Sequence, residues 1–381
     1  MPSEMTNAQI FDREVTRYGL GRRLRFSPDQ NASQKNYDYI KANVEDLVNC
    51  AKNGIPNLPP VYFDFIYNEN INAWAFKAEG KYFIGITTGA IFMLNLVAFR
   101  MLADSRLFDA VGNPKDEVLG LSPISGYITQ AERLYQNGTR IILPKTGTRR
   151  AYAQHIIIGA ILFIAGHELA HITLGHIDYI ESKTGFAMLS EIESGAMVPD
   201  AFIKRQCLET QADIRSVWSR MDSAKLTHES RGNIAPPWGK SPLNESQLIF
   251  DTAFSMNLFF RLFGDIRFGT TELTLKMYPP LPLRRVMAST VSLGWIAQFW
   301  NPSLKDKAHQ ALRSAMHYTE YAFATILGES ATGAGINDAI AAESIAHFKH
   351  LMFCMNNLQN DLIPFSFEKP QYFDAADPKN F

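Results

Sequence analysis

Two histidines four residues apart, with a glutamate directly after the first, form the run His167-Glu168-Leu169-Ala170-His171. Side chains at i and i+4 leave a helix from one face, so both imidazoles can bring a nitrogen to about 2 Å from one zinc ion. Glu168 lies about 100° around the axis from His167, which suits a carboxylate that touches the water held by a metal rather than the metal itself. It is the expected general base. At average residue usage the pattern arises by chance in about one chain in a hundred of this size.

A catalytic zinc takes three protein ligands and keeps one position open, so a third ligand is expected downstream. Glu209 is the candidate. It lies in Leu208-Glu-Thr-Gln-Ala-Asp213, within a stretch from about Ala201 to Met221 where Ile203, Cys207, Ile214, Val217, Trp218 and Met221 recur near helical period. Asp213, one turn on, can hydrogen-bond a ligand histidine and fix its tautomer, and Ala212 would let two helices approach closely. Asp178, Glu191, Glu193 and Asp200 are rival third ligands. His176 would lie about 140° from His171 around a straight helix, so a hydrogen-bonding or capping role is expected of it. His155 reads as a core histidine.

The motif needs a frame. Residues 1–60 read as an N-terminal helical extension closed by the breaker cluster Asn53-Gly-Ile-Pro-Asn-Leu-Pro-Pro60. Val61–Tyr67, Asn72–Phe76 and Tyr82–Thr88 are rich in aromatic and β-branched residues, with a turn at Ala78-Glu-Gly80, which predicts a small antiparallel sheet. Its strand residues Ile84, Gly85, Ile86 and Thr87 are the expected edge for pairing with an extended peptide. Helical spacing follows from Gly89 to about Leu102, then a polar, Gly- and Pro-containing excursion over about 104–150. From near Ala153 a helix apolar on nearly every face carries the motif in its C-terminal half. The fold class is therefore α+β and mostly helical: an extension over 1–60, a catalytic domain over 61–300 and a C-terminal helical region with an irregular tail over 301–381.

The 381 residues carry a net charge of −1, so no global field favours nucleic acid or anionic lipid. Arg22-Arg23-Leu24-Arg25 is the one dense basic run. The three cysteines, Cys50, Cys207 and Cys354, form no Cys-x-x-Cys pair, which fits a reducing compartment. The N-terminal residues have no basic-then-apolar pattern, so a cytoplasmic location is expected. Tyr82–Phe99 is uncharged over 18 residues but interrupted by polar ones, and Ala151–Gly166 is short for a bilayer. No stable membrane insertion is expected.

These motifs, taken in order, resemble the gluzincin peptidases, specifically the M48-type group and the related bacterial phage-exclusion peptidases. Asn72-Ala-Trp-Ala-Phe76 and Ile86-Thr-Thr-Gly-Ala-Ile91 are similar to the strand and helix start ahead of that family's motif helix. His167–His171 with Gly175-His176 follows, then Glu209-Thr-Gln-Ala-Asp213, similar to the family's Glu-x-x-Ala-Asp, and Tyr278-Pro-Pro-Leu-Pro-Leu-Arg284, which resembles its His-Pro-x-x-x-x-Arg. The likeness spans about residues 61–290. It implies a zincin-like core, one zinc ion held by His167, His171 and Glu209, Glu168 as base, and a protein or peptide substrate. The short separation between His171 and Glu209 looks more like the phage-exclusion enzymes, which are cytoplasmic and cut a translation factor. The chain departs from the family at Tyr278, where a histidine is usual; its phenol can donate to an oxyanion or simply pack in a turn. Arg284 can buttress Asp213 or bind substrate.

Two other readings compete. Glu168-Leu-Ala-His171 satisfies the Glu-x-x-His of di-iron carboxylate bundles, but these need a second copy, and Glu343-Ser-Ile-Ala-His347 has one residue too many. A zinc-containing regulatory or peptide-binding protein without activity is the other, against which Glu168 speaks, since a structural site needs no base.

Overall fold

In the computed structural model the described residues are 5–27, 30–124, 140–185, 188–190, 199–231, 234–239, 241–263, 268–269, 273–274 and 276–369. They fold as a mostly helical α+β protein with one sheet. The aromatic and β-branched runs form β2 (Val61–Tyr67), β3 (Ala73–Ala78) and β4 (Lys81–Thr87), and the short β1 (Arg22–Arg23) and β5 (Met188–Ser190) complete the order β1-β2-β4-β3-β5. The β3–β4 hairpin turns on Glu79 and Gly80, with φ of 51° and 72°, the pair of positive values that matches strand twist in a two-residue loop.

The expected all-antiparallel sheet is corrected at one ladder. β2 runs parallel to β4, from Val61 opposite Tyr82 to Ile66 opposite Thr87, while the other three ladders are antiparallel. The tight hairpin gives one side of β4 to β3, so β2 can only take the other. β4 is thereby an inner strand, and its near-continuous buried run from Tyr82 to Thr87 is what a strand covered on both faces requires.

Alternate residues serve two cores, as the pleat dictates. Helix α1 (Asn7–Arg17), started by a Thr6/Gln9 capping box, lays Ile10, Phe11 and Val15 against Ile66, Trp74, Phe76 and Phe83 on one face. Phe63, Phe65, Ala73, Ala75, Ile84 and Ile86 enter the main core on the other, shared with α2 (Asn31–Gly54), α3 (Thr88–Ala103) and α4 (Gly147–Thr173). Thr87 both ends β4 and caps α3, accepting a hydrogen bond from the Ala90 N–H.

α4 is the motif helix and begins six residues earlier than its apolar pattern alone predicts. It is long and apolar enough to cross a membrane by length and composition, and 89% of its most apolar 18-residue window is buried within the protein. The stretch after α3 is not the surface excursion expected. Leu107, Phe108 and Val111 are buried, and Arg149 in the first turn of α4 donates to the carbonyls of Leu102, Asp104, Leu107, Phe108 and Val111 at 2.6–3.2 Å. One guanidinium thus satisfies a cluster of loop carbonyls that would otherwise need water. Residues 125–139 of that stretch lie outside the described part.

Among the described residues the remaining α-helices are α5 (His176–Thr184), α6 (Pro199–Arg231), α7 (Glu245–Leu262), α8 (Leu281–Trp295), α9 (Lys305–Leu327), α10 (Ala334–Ala339) and α11 (Ala342–Leu362). The main core runs from Ile40 to Ile326 in sequence. A second core joins Cys207, Leu208 and Ile214 of α6 to Leu283, Val286 and Met287 of α8 and to Leu351, Met355 and Leu358 of α11. The tail then returns to α4, where the Phe367 N–H donates to the Thr173 carbonyl at 2.9 Å and Glu368 pairs with Arg215 at 2.8 Å. The three cysteines are free.

Candidate metal centre

The motif lies in the last two turns of α4, facing α6. A Cβ at Gly166 would sit 2.8 Å from the Ser216 Oγ, which itself donates to the Phe163 carbonyl, so the two helices meet across small residues. That closeness brings Glu209 to the histidines. His167, His171 and Glu209 form a group whose ligand atoms lie within 4.8 Å of one another, and none of the three is more than 2% exposed.

The hydrogen bonds fix which ring nitrogens carry the proton. Asp213 Oδ1 lies 3.0 Å from His167 Nδ1, and Arg284 grips the same carboxylate at 2.7 and 2.8 Å, so Nδ1 carries the proton and Nε2 a lone pair. A chain from α11 does the same for His171. Gln359 Oε1 accepts from Gln211 Nε2 (3.1 Å), Gln211 Oε1 accepts from His176 Nε2 (3.1 Å), and His176 Nδ1 therefore accepts from His171 Nδ1 (2.9 Å). His171 Nε2 is left with a lone pair as well.

Those two lone-pair nitrogens are 3.1 Å apart. Glu209 Oε2 lies 3.2 Å from His167 Nε2, and Oε1 lies 3.6 Å from His171 Nε2. Two acceptors and a carboxylate facing one another in a buried site repel unless a cation sits among them. Oε1 has no hydrogen bond of good geometry, although Arg205 Nε is 3.0 Å from it. The group fits a metal ion.

Its protonation state agrees. Burial holds His171 and His176 below the ordinary histidine range. Burial opposes ionisation of Glu209 too, but the Arg205 guanidinium holds its carboxyl well below the usual carboxylate range. Asp213 is lowered in the same way by Arg284, against its own burial. Elsewhere burial pushes His347 down to about 4. All three histidines bind protons less readily in the fold than in the unfolded chain, so the unfolded state binds more protons below about pH 6.5. Metal-stripped protein is expected to lose stability as the pH falls below about 6.5, about 1.4 kcal/mol per pH unit from His347 down to about pH 4, with a further loss from His171 and His176. Urea unfolding at a series of pH values measures it; a flat profile from pH 7 to about 5 would contradict the neutral assignment.

No family model, curated protein or solved structure matches this chain. The site is therefore read from its own geometry.

Of the residues singled out in the sequence, His167, His171, Glu209, Asp213 and Arg284 come together, and Glu168 is buried beside them at 2% exposure. Tyr278 is one link away, its hydroxyl accepting from Arg205 Nη2 at 3.0 Å. Ile84, Gly85, Ile86 and Thr87 do not form a peptide-binding edge. β2 and β3 occupy both sides of β4 at these positions, apart from the last, where Thr87 donates to the Asn72 carbonyl. Asp178 is engaged by Lys77 (2.6 Å) and the Tyr82 hydroxyl (2.5 Å) rather than by the histidines. Glu191 and Glu193 lie outside the described residues, as does the side chain of Asp200.

His347 bonds Gln206 at 2.7 Å, and no second metal-ligating group is found among the described residues, so the di-iron reading lacks its partner motif. His155 stacks on Trp238 and meets Asp251 at 3.4 Å. Sequence reasoning missed Arg205, Gln211 and Gln359. Arg205 had a signal, since it precedes Glu209 by four residues on one helix. Gly175 explains His176: its φ of 76° ends α4, and the next helix turns the His176 ring back onto His171.

Proposed function

We propose that the chain is a zinc-dependent endopeptidase with a zincin-like core, acting on a cytoplasmic protein in the manner of the phage-exclusion enzymes it resembles. The observation that carries this is the convergence of two histidine lone pairs and the Glu209 carboxylate, with Glu168 next to the first ligand. Two imidazoles and one carboxylate are the donor set of hydrolytic zinc, whose tetrahedral ligands stand about 3.3 Å apart at bonds of about 2.0–2.1 Å. The separations of 3.1, 3.2 and 3.6 Å fit that spacing. Bound there, zinc supplies Lewis acidity toward water and the scissile carbonyl.

The protein's residues do the rest. Glu168 takes a proton from the attacking water and hands it to the leaving amine. Tyr278, whose oxygen accepts from Arg205 at 3.0 Å, is the phenol that would donate to the developing oxyanion. Asp213 holds His167 in its metal-binding tautomer, and Arg284 holds Asp213. Asp213→Asn is expected to weaken zinc binding about 10- to 100-fold in competition with a chromogenic chelator, and unchanged affinity would remove Asp213 from this role.

An extended peptide would align along the outer side of β5, the sheet edge next to β3, which packs on the motif helix. Because His167, Glu168, His171 and Glu209 are each at most 2% exposed, the reaction includes an opening step before substrate reaches them. That closure favours one second reading, a zinc-containing regulator that binds partners without cutting them. Incubating purified protein with an unfolded substrate such as reduced casein separates the two. The peptidase reading expects cleavage that 1,10-phenanthroline stops and added zinc restores; intact substrate with zinc-replete, urea-loosened protein would leave the regulator.

A further inference from the structure

On a different face of the motif helix from the ligand histidines lies a cavity of about 720 Å³ between α2, α4, α6 and the returning tail. Its wall is largely aliphatic, with Leu47, Ala51, Leu162, Leu169, Ala170 and Leu226 contributing. Arg220 of α6 lines it too. Its Nε is sealed from solvent without a hydrogen-bond partner, and among the described residues Arg220 has no ion pair. Of the other charges on the wall, Arg215 pairs with Glu368 at 2.8 Å, while burial raises the Asp222 carboxyl against the weaker fields of Arg215 and Lys225. Asp46 and Lys369 add one charge of each sign at the wall.

A guanidinium sunk into a cavity wall with its Nε sealed off and no ion pair among the described residues is costly to the fold, and a neutral residue of similar volume would be the more stable choice. Burial pulls the Arg220 pKa down to about 10. The volume is that of a small-molecule site, and the lining combines apolar side chains with charged ones, among which Arg220 is the cation without an ion pair among the described residues. We propose that this cavity binds an anionic amphiphile, a carboxylate carrying an aliphatic chain, with its charge on Arg220 and its chain along the leucine wall. Asn43, Ser219 and Ser223 line the same cavity and can supply further donors to the head group. Leu226, 62% exposed, extends the apolar surface to the rim.

Isothermal titration of the full chain with octanoate, octanol and inorganic phosphate tests this. Octanoate is expected to bind at least about tenfold more tightly than either, and to gain about threefold per methylene over the six- to ten-carbon acids. Arg220→Met is expected to remove that preference and to raise the melting temperature of the free protein. Leu226→Asp, at an exposed position, removes apolar rim surface and is expected to weaken octanoate and octanol alike severalfold, whatever the fate of the Arg220 variant. Phosphate binding as tightly as octanoate, equal octanoate affinity in Arg220→Met, a lowered melting temperature in that variant, or no binding by any acid would each overturn the proposal. None of these readouts depends on peptide hydrolysis.

Discussion

Glu168→Gln is expected to slow peptide hydrolysis about 10²- to 10⁴-fold while leaving the metal content of the purified protein unchanged. The substitution keeps the size and shape of the side chain, so a residue only 2% exposed can be exchanged without opening a cavity. What it removes is the ability to accept and return a proton. His167, His171 and Glu209 remain, and so do Asp213 and the His176–Gln211–Gln359 chain that hold the two imidazoles in their binding tautomers. The loss should therefore fall on kcat, with substrate affinity little altered. A variant that still cleaves at the wild-type rate contradicts the assignment of Glu168 as base, and one that loses metal makes Glu168 a ligand instead.

The largest effect on stability is expected far from the metal. Arg149 is fully buried and donates to five carbonyls between Leu102 and Val111, joining the start of the motif helix to the loop after α3. Truncation to Ala strips those carbonyls of their shared donor and leaves a void, two of the few mechanisms that produce large losses from one substitution. A destabilisation of about 4 kcal/mol or more is expected from urea unfolding, with Arg149→Lys intermediate because an ammonium has three donors against the guanidinium's five. A loss below about 1 kcal/mol for the alanine variant would show that water replaces the guanidinium at little cost.

How far each feature could be read in the sequence depended on whether its cause was local. The run from His167 to His171 and the pair Glu209 and Asp213 are helical spacings, and the period alone puts each pair on one face. Apolar periodicity likewise marked the motif helix and the strands at Val61–Tyr67 and near Lys81–Thr87. The order of those strands was not legible. Nothing in Lys81–Thr87 says that β2 will pair beside it in parallel, since neighbours are chosen by contacts distant in sequence. The unbroken apolar run Tyr82-Phe-Ile-Gly-Ile86 was the available hint, because an edge strand would more often alternate.

The same distinction runs through the site. Gln359 bonds Gln211 from 148 residues away and through it holds His176, and glutamines at ordinary helix positions carry no mark of it. Arg149 serves backbone carbonyls, which leave no trace in side-chain pattern. Gly175 was visible, and its left-handed turn changes the direction of His176 from that of a straight helix. Tyr278 was found as a departure from the resemblance, and its link to Glu209 through Arg205 appears only in three dimensions.

Metal analysis of the purified wild-type chain and of Glu209→Ala tests the central claim most directly. The account expects close to one zinc per wild-type chain and a loss of most of it in the variant, with the fold retained by circular dichroism. A wild-type chain that takes up no zinc, or a variant that holds as much as the wild type, would contradict a centre built from His167, His171 and Glu209.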